Sequence, residues 1–294
     1  MKSFDLKVDE TVNDQRIFDF VFANCKSVFP SKSSVKRAFK TRRIHLNNNP
    51  ASSGDWIVHG DTIKIKRNLL VPFKVYNLDL DIVYEDNFIA IINKPAGIAV
   101  SGNFYKNIQN SLTNNLNISP ELDSLDIPRP VHRLDKMTAG LLIIAKTRRA
   151  QKYLGSQLEM QKLKKKYIAI VKGSLISSGE IVSPINGLNS ITIFKTIQKV
   201  KSASYQSMSL VELYPVTGRT HQLRIHLSQL GHPIIGDYTY DFHKVLKGKG
   251  LFLFASMISF KHPITQNSLS FQIPIPNKFN LLIDREKKRW KKFY

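Results

Sequence analysis

Residues 128–147 read PRPVHRLDKMTAGLLIIAKT. Pro128 and Pro130 cannot lie inside a helix, because the ring removes an N–H and clashes one turn back. Gly140 and the apolar run 141–145 then read as the start of a buried strand. His132, Arg133, Leu134 and Asp135 therefore fall in a rigid loop that feeds a core strand. Asp135 stands between Arg133 and Lys136. Nearby cations favour the charged form of a carboxylate even when it is part-buried. An ionised, desolvated aspartate serves as a nucleophile or a base. The plain alternative is a local salt bridge, worth about 0–1 kcal/mol at a surface.

Strand signals surround this loop. Runs at 81–84 and 88–93 flank an Asp86-Asn87 turn and read as a hairpin, which Lys94-Pro95-Ala96-Gly97 stops. Further strands fit 166–172, 209–214, 251–260 and 268–273, and helices fit 148–161 and 220–230. The fold class is α+β: a mixed, mainly antiparallel sheet with flanking helices over 81–280.

Two more stretches carry candidate chemistry. In VTGRTHQLRIH, residues 216–226, Gly218 ends a strand and Thr220 is a plausible N-cap. The helix that follows ends at Gly231, with Pro233 beyond it. Leu223, Leu227 and Leu230 form its core stripe, and His221, Arg224 and Ser228 a polar one. Arg224 can thus project into a cleft, or be solvated on an ordinary amphipathic helix. Arg219, at the helix start, suits a phosphate. In KKKYIAIVKG, residues 164–173, alternation puts Tyr167, Ala169 and Val171 on one face. Tyr167 is either a core aromatic or a ring on which a base stacks.

Residues 12–66 read as a separate small unit. Ile17, Phe18, Val21 and Phe22 recur at helical spacing. Pro30 and Ser31 break the chain, and Ser33 or Ser34 caps a second helix over 35–41. Lys32, Lys36, Arg37, Lys40, Arg42 and Arg43 give residues 31–43 six basic residues and no acidic one. Short strands at 44–46, 56–58 and 62–65 follow. Residues 67–80 read as a linker, and 281–294 as a basic helix or tail.

The 294 residues carry 44 Lys+Arg against 22 Asp+Glu, a net charge of +22 that asks for a polyanion such as nucleic acid. With 42% hydrophobic and 10% aromatic residues a core can form. No apolar run reaches the roughly 18 residues of a membrane span. The start, MKSFDLKVDE, has no apolar signal core, so the expected location is cytoplasmic. A single cysteine, Cys25, excludes a disulfide framework or a multi-cysteine metal site. P-loop, GxGxxG, GxSxG and HExxH patterns are absent, and His221 and His226 are five apart, a poor spacing for shared ligation.

NKPAG at 93–97, HRLDKMTAG at 132–140, KKYIAIVKG at 165–173 and VTGRTHQLRIHLSQLGHPIIGD at 216–237 resemble, in order and spacing, the motifs of the RluA family of pseudouridine synthases. SSVKRAFKTRRIHLNNN and SGDWIVHGDTIKI, within 12–66, resemble the RNA-binding domain shared with ribosomal protein S-four. That family often carries such a domain in front. The resemblance implies isomerisation of uridine to pseudouridine in structured RNA, ribosomal first and transfer RNA second. It implies no cofactor and no metal; a monomer with no membrane partner is the accompanying expectation.

Residue by residue, the resemblance makes Asp135 the essential aspartate and Arg224 its partner. Tyr167 becomes the aromatic against the target base, and Arg133 the side chain that fills the gap left when the base is flipped out. Lys94 and Arg219 become backbone contacts, and His132 a structural residue. Attack on the ring, attack on the sugar and removal of a sugar proton are the chemistries open to the carboxylate. Met137 and Ala139 stand where the family commonly has an acidic residue and Ser, and 98–125 matches least. Two other readings are a non-catalytic RNA-binding or ribosome-assembly factor and a hydrolase using Asp135. The second lacks an accompanying carboxylate or metal cluster.

Overall fold

A computed structural model describes residues 3–12, 14–26, 28–29, 31–66, 75–241 and 248–293. The first sixty or so residues form strands and helices in the order β1 (Ser3–Lys7), β2 (Gln15–Arg16), α1 (Ile17–Asn24), α2 (Lys32–Lys40), β3 (Ile44–Leu46), β4 (Asn49–Pro50), β5 (Trp56–Ile57) and β6 (Thr62–Lys66). β1, β6, β3 and β4 make one sheet, and β2 pairs with β5. Val21, Val35, Phe39, Ile44, Ile57 and Ile63 share one buried core.

The unit begins earlier than residue 12. β1 pairs antiparallel with the whole of β6, and Phe4, Leu6 and Val8 pack on the core. The alternation of 3–8 was legible but short, so the strand declares itself only through its partner. α2 also starts earlier than expected. Ser31, not Ser33 or Ser34, is its cap: its Oγ accepts from Ser34 N at 3.2 Å, and its N–H donates to Ser34 Oγ. That capping box satisfies two otherwise orphaned groups.

The rest of the chain builds a ten-stranded sheet. Its elements are β7 (Asp81–Glu85), β8 (Ile89–Lys94), α3 (Leu112–Asn115), β9 (Ser124–Pro130), β10 (Ala139–Thr147), α4 (Arg148–Glu159) and β11 (Lys164–Lys172). There follow β12 (Ser178–Val182), β13 (Ile191–Ser202), β14 (Gln206–Pro215), α5 (Gln222–Gln229), β15 (Leu253–Lys261), β16 (Ser268–Gln272) and α6 (Asn277–Phe293). The spatial order is β12-β13-β14-β11-β15-β10-β8-β7, with β16 beside β15 and β9 beside β10. Among the described strands only β10 and β15 pair in parallel. The sheet is therefore mixed and mainly antiparallel.

β10 lies near the centre and is buried on both faces. Leu142 and Ile144 join one core, with α5 and α6 against it; Leu141, Ile143 and Ala145 join the other, under α4. This is why the run is continuously apolar rather than alternating. Gly140 opens the strand at φ +119°, and a Cβ there would sit 2.3 Å from Ala255 O. Only glycine lets the two parallel strands meet at that point.

Three expectations change here. Residues 281–293 are part of a packed helix rather than a tail: α6 begins at Asn277 and buries Phe279, Leu282, Ile283 and Glu286. Of the linker, 67–74 lies outside the described residues. Residues 75–80 are tied to the unit that follows, Tyr76 N donating to Asn110 O at 2.9 Å and Leu80 N to Asn115 Oδ1 at 2.8 Å. The hairpin β12–β13 was not anticipated, although 191–202 alternates buried and exposed residues over most of its length. Among the described residues no helix is long and apolar enough to cross a membrane.

Candidate active site

The loop between β9 and β10 holds Asp135. Thr138 N donates to Asp135 O at 3.0 Å, and Leu134 anchors the loop in the core. His132 Nε2 accepts from Ile143 N at 3.3 Å, which requires the unprotonated nitrogen. Burial, helped by the positive charge of Lys165, pushes the His132 imidazolium down to about 3. His132 is a structural acceptor.

Lys94 does not meet RNA. It is 0% exposed. Its Nζ donates to Pro95 O at 2.8 Å, Ile98 O at 2.9 Å and Lys136 O at 3.3 Å. Gly97 N adds a bond to the same Lys136 carbonyl at 2.8 Å. Lys94 thus ties the KPAG turn to the Asp135 loop, where a phosphate cannot reach it. Burial pushes its ammonium down to about 8, and the negative charge of Asp135 offsets part of that effect.

Arg224 comes from α5, on the far side of the sheet sequence, yet meets Asp135. Its Nη1 donates to Asp135 Oδ2 at 3.1 Å. The same guanidinium forks onto Asp237, Nε to Oδ2 at 2.7 Å and Nη2 to Oδ1 at 2.8 Å. Burial alone would raise the Asp237 carboxyl; the Arg224 bonds and the N–H groups of Thr239 and Tyr240 outweigh it and hold it low. Asp237 went unassigned in the sequence, though it closes the GHPIIGD run. Its signal was an acid beside a glycine, and its role needed the fold.

α5 differs from the expected helix. It starts at Gln222, its N-cap is His221 in the left-handed region at φ +56°, and no side chain caps it. Thr220 is outside it, and Leu230 lies beyond its end, 43% exposed. Gln222 supplies the lock instead. Its Oε1 accepts from Thr217 Oγ1 at 2.7 Å and Arg219 N at 3.0 Å, and its Nε2 donates to Ile191 O and Thr192 Oγ1.

A cleft of about 720 Å³ gathers Asp135, Tyr167, Arg224, Arg133, Arg219 and Lys165 on its lining. Tyr167 is 9% exposed. Burial first, then the charge of Asp135, pushes its phenol up, so the ring stays neutral. Arg133 and Arg219 are exposed at the cleft. Lys165, from the 164–173 stretch, has no role legible in the sequence yet lines the cleft, where burial pushes its ammonium down.

The α2 residues are remote from this constellation in sequence and lie on their own unit. Lys32, Lys36, Arg37, Lys40 and Arg42 are exposed. Arg43 differs: it is half-buried, its Nε donates to Lys66 O at 3.1 Å, and its guanidinium lies 5.8 Å from the Phe29 ring centre. It is partly spent on structure rather than offered to phosphate.

A family model described as RNA pseudouridylate synthase matches residues 88–229. The uncharacterized RNA pseudouridine synthase YlyB of Bacillus subtilis (strain 168) is 30% identical, covering 98% of this chain and 99% of its own. Ribosomal large subunit pseudouridine synthase C of Yersinia pestis is 31% identical over 90% of this chain and 89% of its own. Ribosomal large subunit pseudouridine synthase D of Buchnera aphidicola subsp. Acyrthosiphon pisum (strain APS) is 32% identical over 86% and 89%. Human RNA pseudouridylate synthase domain containing 1 shares the fold, at TM-score 0.55 and 24% identity, covering 67% of this chain and 83% of that one. With the likeness running nearly end to end in both chains, the protein belongs to the RluA family of RNA pseudouridine synthases, enzymes that isomerise uridine in RNA.

Proposed function

We propose that this enzyme converts uridine to pseudouridine in ribosomal RNA of the large subunit, with Asp135 as the acting carboxylate. The observation that carries the reading is the 3.1 Å contact of Arg224 with Asp135 in the lining of the cleft. A buried guanidinium, itself held by Asp237, orients that carboxylate through a charge-assisted hydrogen bond. The names of the relatives from Yersinia pestis and Buchnera aphidicola supply the substrate class. Such a substrate goes with a cytoplasmic location, and a monomer suffices, since one chain supplies every group in the cleft.

In the reaction the N1–C1′ bond breaks and a C5–C1′ bond forms. The ring loses a proton at carbon 5 and gains one at nitrogen 1, so nothing is added overall. A paired uracil is out of reach, so the nucleotide is flipped into the cleft. Tyr167 offers the base a neutral ring, Arg133 fills the vacated stack, and Arg219 and Lys165 serve the backbone phosphates. The small unit with α2 acts as a second RNA contact that raises affinity by tethering.

Tritium release from RNA labelled at carbon 5 of uridine tests the role of Asp135. Asp135→Asn should release no tritium above background and still bind RNA within about threefold. Turnover by that variant at a rate near wild type would refute the assignment. Pseudouridine mapping with and without the gene tests the substrate. Sites lost from ribosomal RNA support it; sites lost only from transfer RNA overturn it.

A further inference from the structure

One side chain of the cleft has no part in the chemistry above. His221 Nε2 lies 3.7 Å from Asp135 Oδ1, while Oδ2 of the same carboxylate takes Arg224. His221 Nδ1 lies 2.8 Å from the Tyr240 hydroxyl, and the two rings meet edge to face at 5.7 Å. Tyr240 is fixed in turn. Its N–H donates to Asp237 Oδ1 at 3.2 Å and its carbonyl accepts from Ser228 Oγ at 2.7 Å. Its ring centre is 5.0 Å from the Arg224 guanidinium carbon. The groups that hold Arg224 therefore also hold the imidazole.

The backbone argues that His221 is there for its side chain. A φ of +56° is rare for any residue with a Cβ. Such strain persists where the surrounding structure imposes it. His221 stands at the N-cap position yet gives α5 no capping bond. Its ring lines the cleft instead.

Electrostatics selects one tautomer. With the proton on Nδ1, the Nε2 lone pair would face a carboxylate oxygen. With Tyr240 donating its hydroxyl proton to Nδ1, Nε2 carries an N–H that points at Oδ1. This is the arrangement by which an outer partner fixes an imidazole tautomer.

We propose that His221 is a positioning residue for Asp135, set by Tyr240. Its Nε2–H holds Oδ1 while Arg224 holds Oδ2, so the carboxylate is fixed in plane and rotation. In the free enzyme the gap exceeds a hydrogen bond; entry of the base expels water and draws it to about 3 Å. No proton leaves the imidazole. The inference rests on Asp135 as the acting carboxylate.

The test measures single-turnover tritium release and RNA affinity on the full chain. His221→Asn suits the left-handed backbone and keeps an amide near the Nδ1 position, but cannot reach Oδ1. His221→Gln places an amide N–H near the Nε2 position. The Asn variant should slow release about tenfold to hundredfold with affinity within about twofold. The Gln variant should recover at least about fivefold of that loss, which a merely structural role would not produce. Tyr240→Phe should slow release, and should add little to the His221→Asn defect.

An Asn variant within twofold of wild type overturns the proposal, as does a Gln variant no faster than Asn. Asp135→Asn run alongside separates the two readings. If it is inactive while His221→Asn is unimpaired, only the role of His221 falls. If Asp135→Asn turns over, the reading of Asp135 has failed first.

Discussion

Single residues around Asp135, in its loop and at the start of β10, are committed to backbone geometry. Gly140 is one: its φ of +119° and the 2.3 Å approach to Ala255 O leave no room for a methyl. Gly140→Ala should cost about 2–4 kcal/mol, read as a fall in urea midpoint with an unchanged m-value. A change under half a kcal/mol would contradict the contact. His132 is another. Its imidazolium is pushed down to about 3, well below the unfolded value near 6.5. Its contribution to stability is complete above about pH 6.5 and is lost as pH falls toward 3, because the unfolded chain takes the proton first. Wild type should therefore lose stability below pH 6.5 more steeply than His132→Gln, by about 1 kcal/mol per pH unit. Parallel unfolding curves from pH 6.5 to 4 would show that His132 is not held neutral.

At the scale of elements, α6 shows how a charged sequence is still a packed helix. Phe279, Leu282, Ile283 and Glu286 follow helical spacing on its buried side. Glu286 is 0% exposed, yet it is fully engaged. Its carboxylate accepts from Ser202 Oγ at 2.7 Å and Ser204 N at 3.2 Å, and pairs with Arg285 and Arg289. These bonds fasten α6 to the β13–β14 turn. Glu286→Ala should cost about 1–3 kcal/mol, mostly from the orphaned Ser202 and Ser204 groups, since both arginines are part-exposed and hydrated. Thermal melts that coincide with wild type would argue that α6 is not held this way. Lys287, Lys288, Lys291 and Lys292 point away and are exposed. The acid–base alternation hid a buried glutamate that only its serine partners reveal.

For the whole molecule the net charge of +22 governs the encounter with RNA. Affinity should fall steeply with salt. Replacing Lys36, Arg37 and Lys40 together with Gln should flatten the log–log salt slope by about 0.7–0.9 for each phosphate contact removed. A fluorescence titration from low to high salt reads this directly, and an unchanged slope would rule out α2 as an RNA contact. Arg43 is left out because its guanidinium is already engaged by Lys66 O and Phe29.

What the sequence determined by itself was local. Proline placement, the apolar run 141–145 and the ordered motifs were enough for the strand and loop around Asp135, for the sheet class and for the family. Such features depend on neighbours a few residues away. Tertiary structure alone decided which distant groups meet. Asp135, Arg224 and Asp237 are 89 and 13 residues apart along the chain and share one guanidinium. It also moved Lys94 from the RNA-facing set into the core, because a lysine reads the same whether its ammonium meets phosphate or three carbonyls. It brought β1 into the first sheet and α6 onto the second, since a short strand or a charged helix is stable only against the partner that buries it.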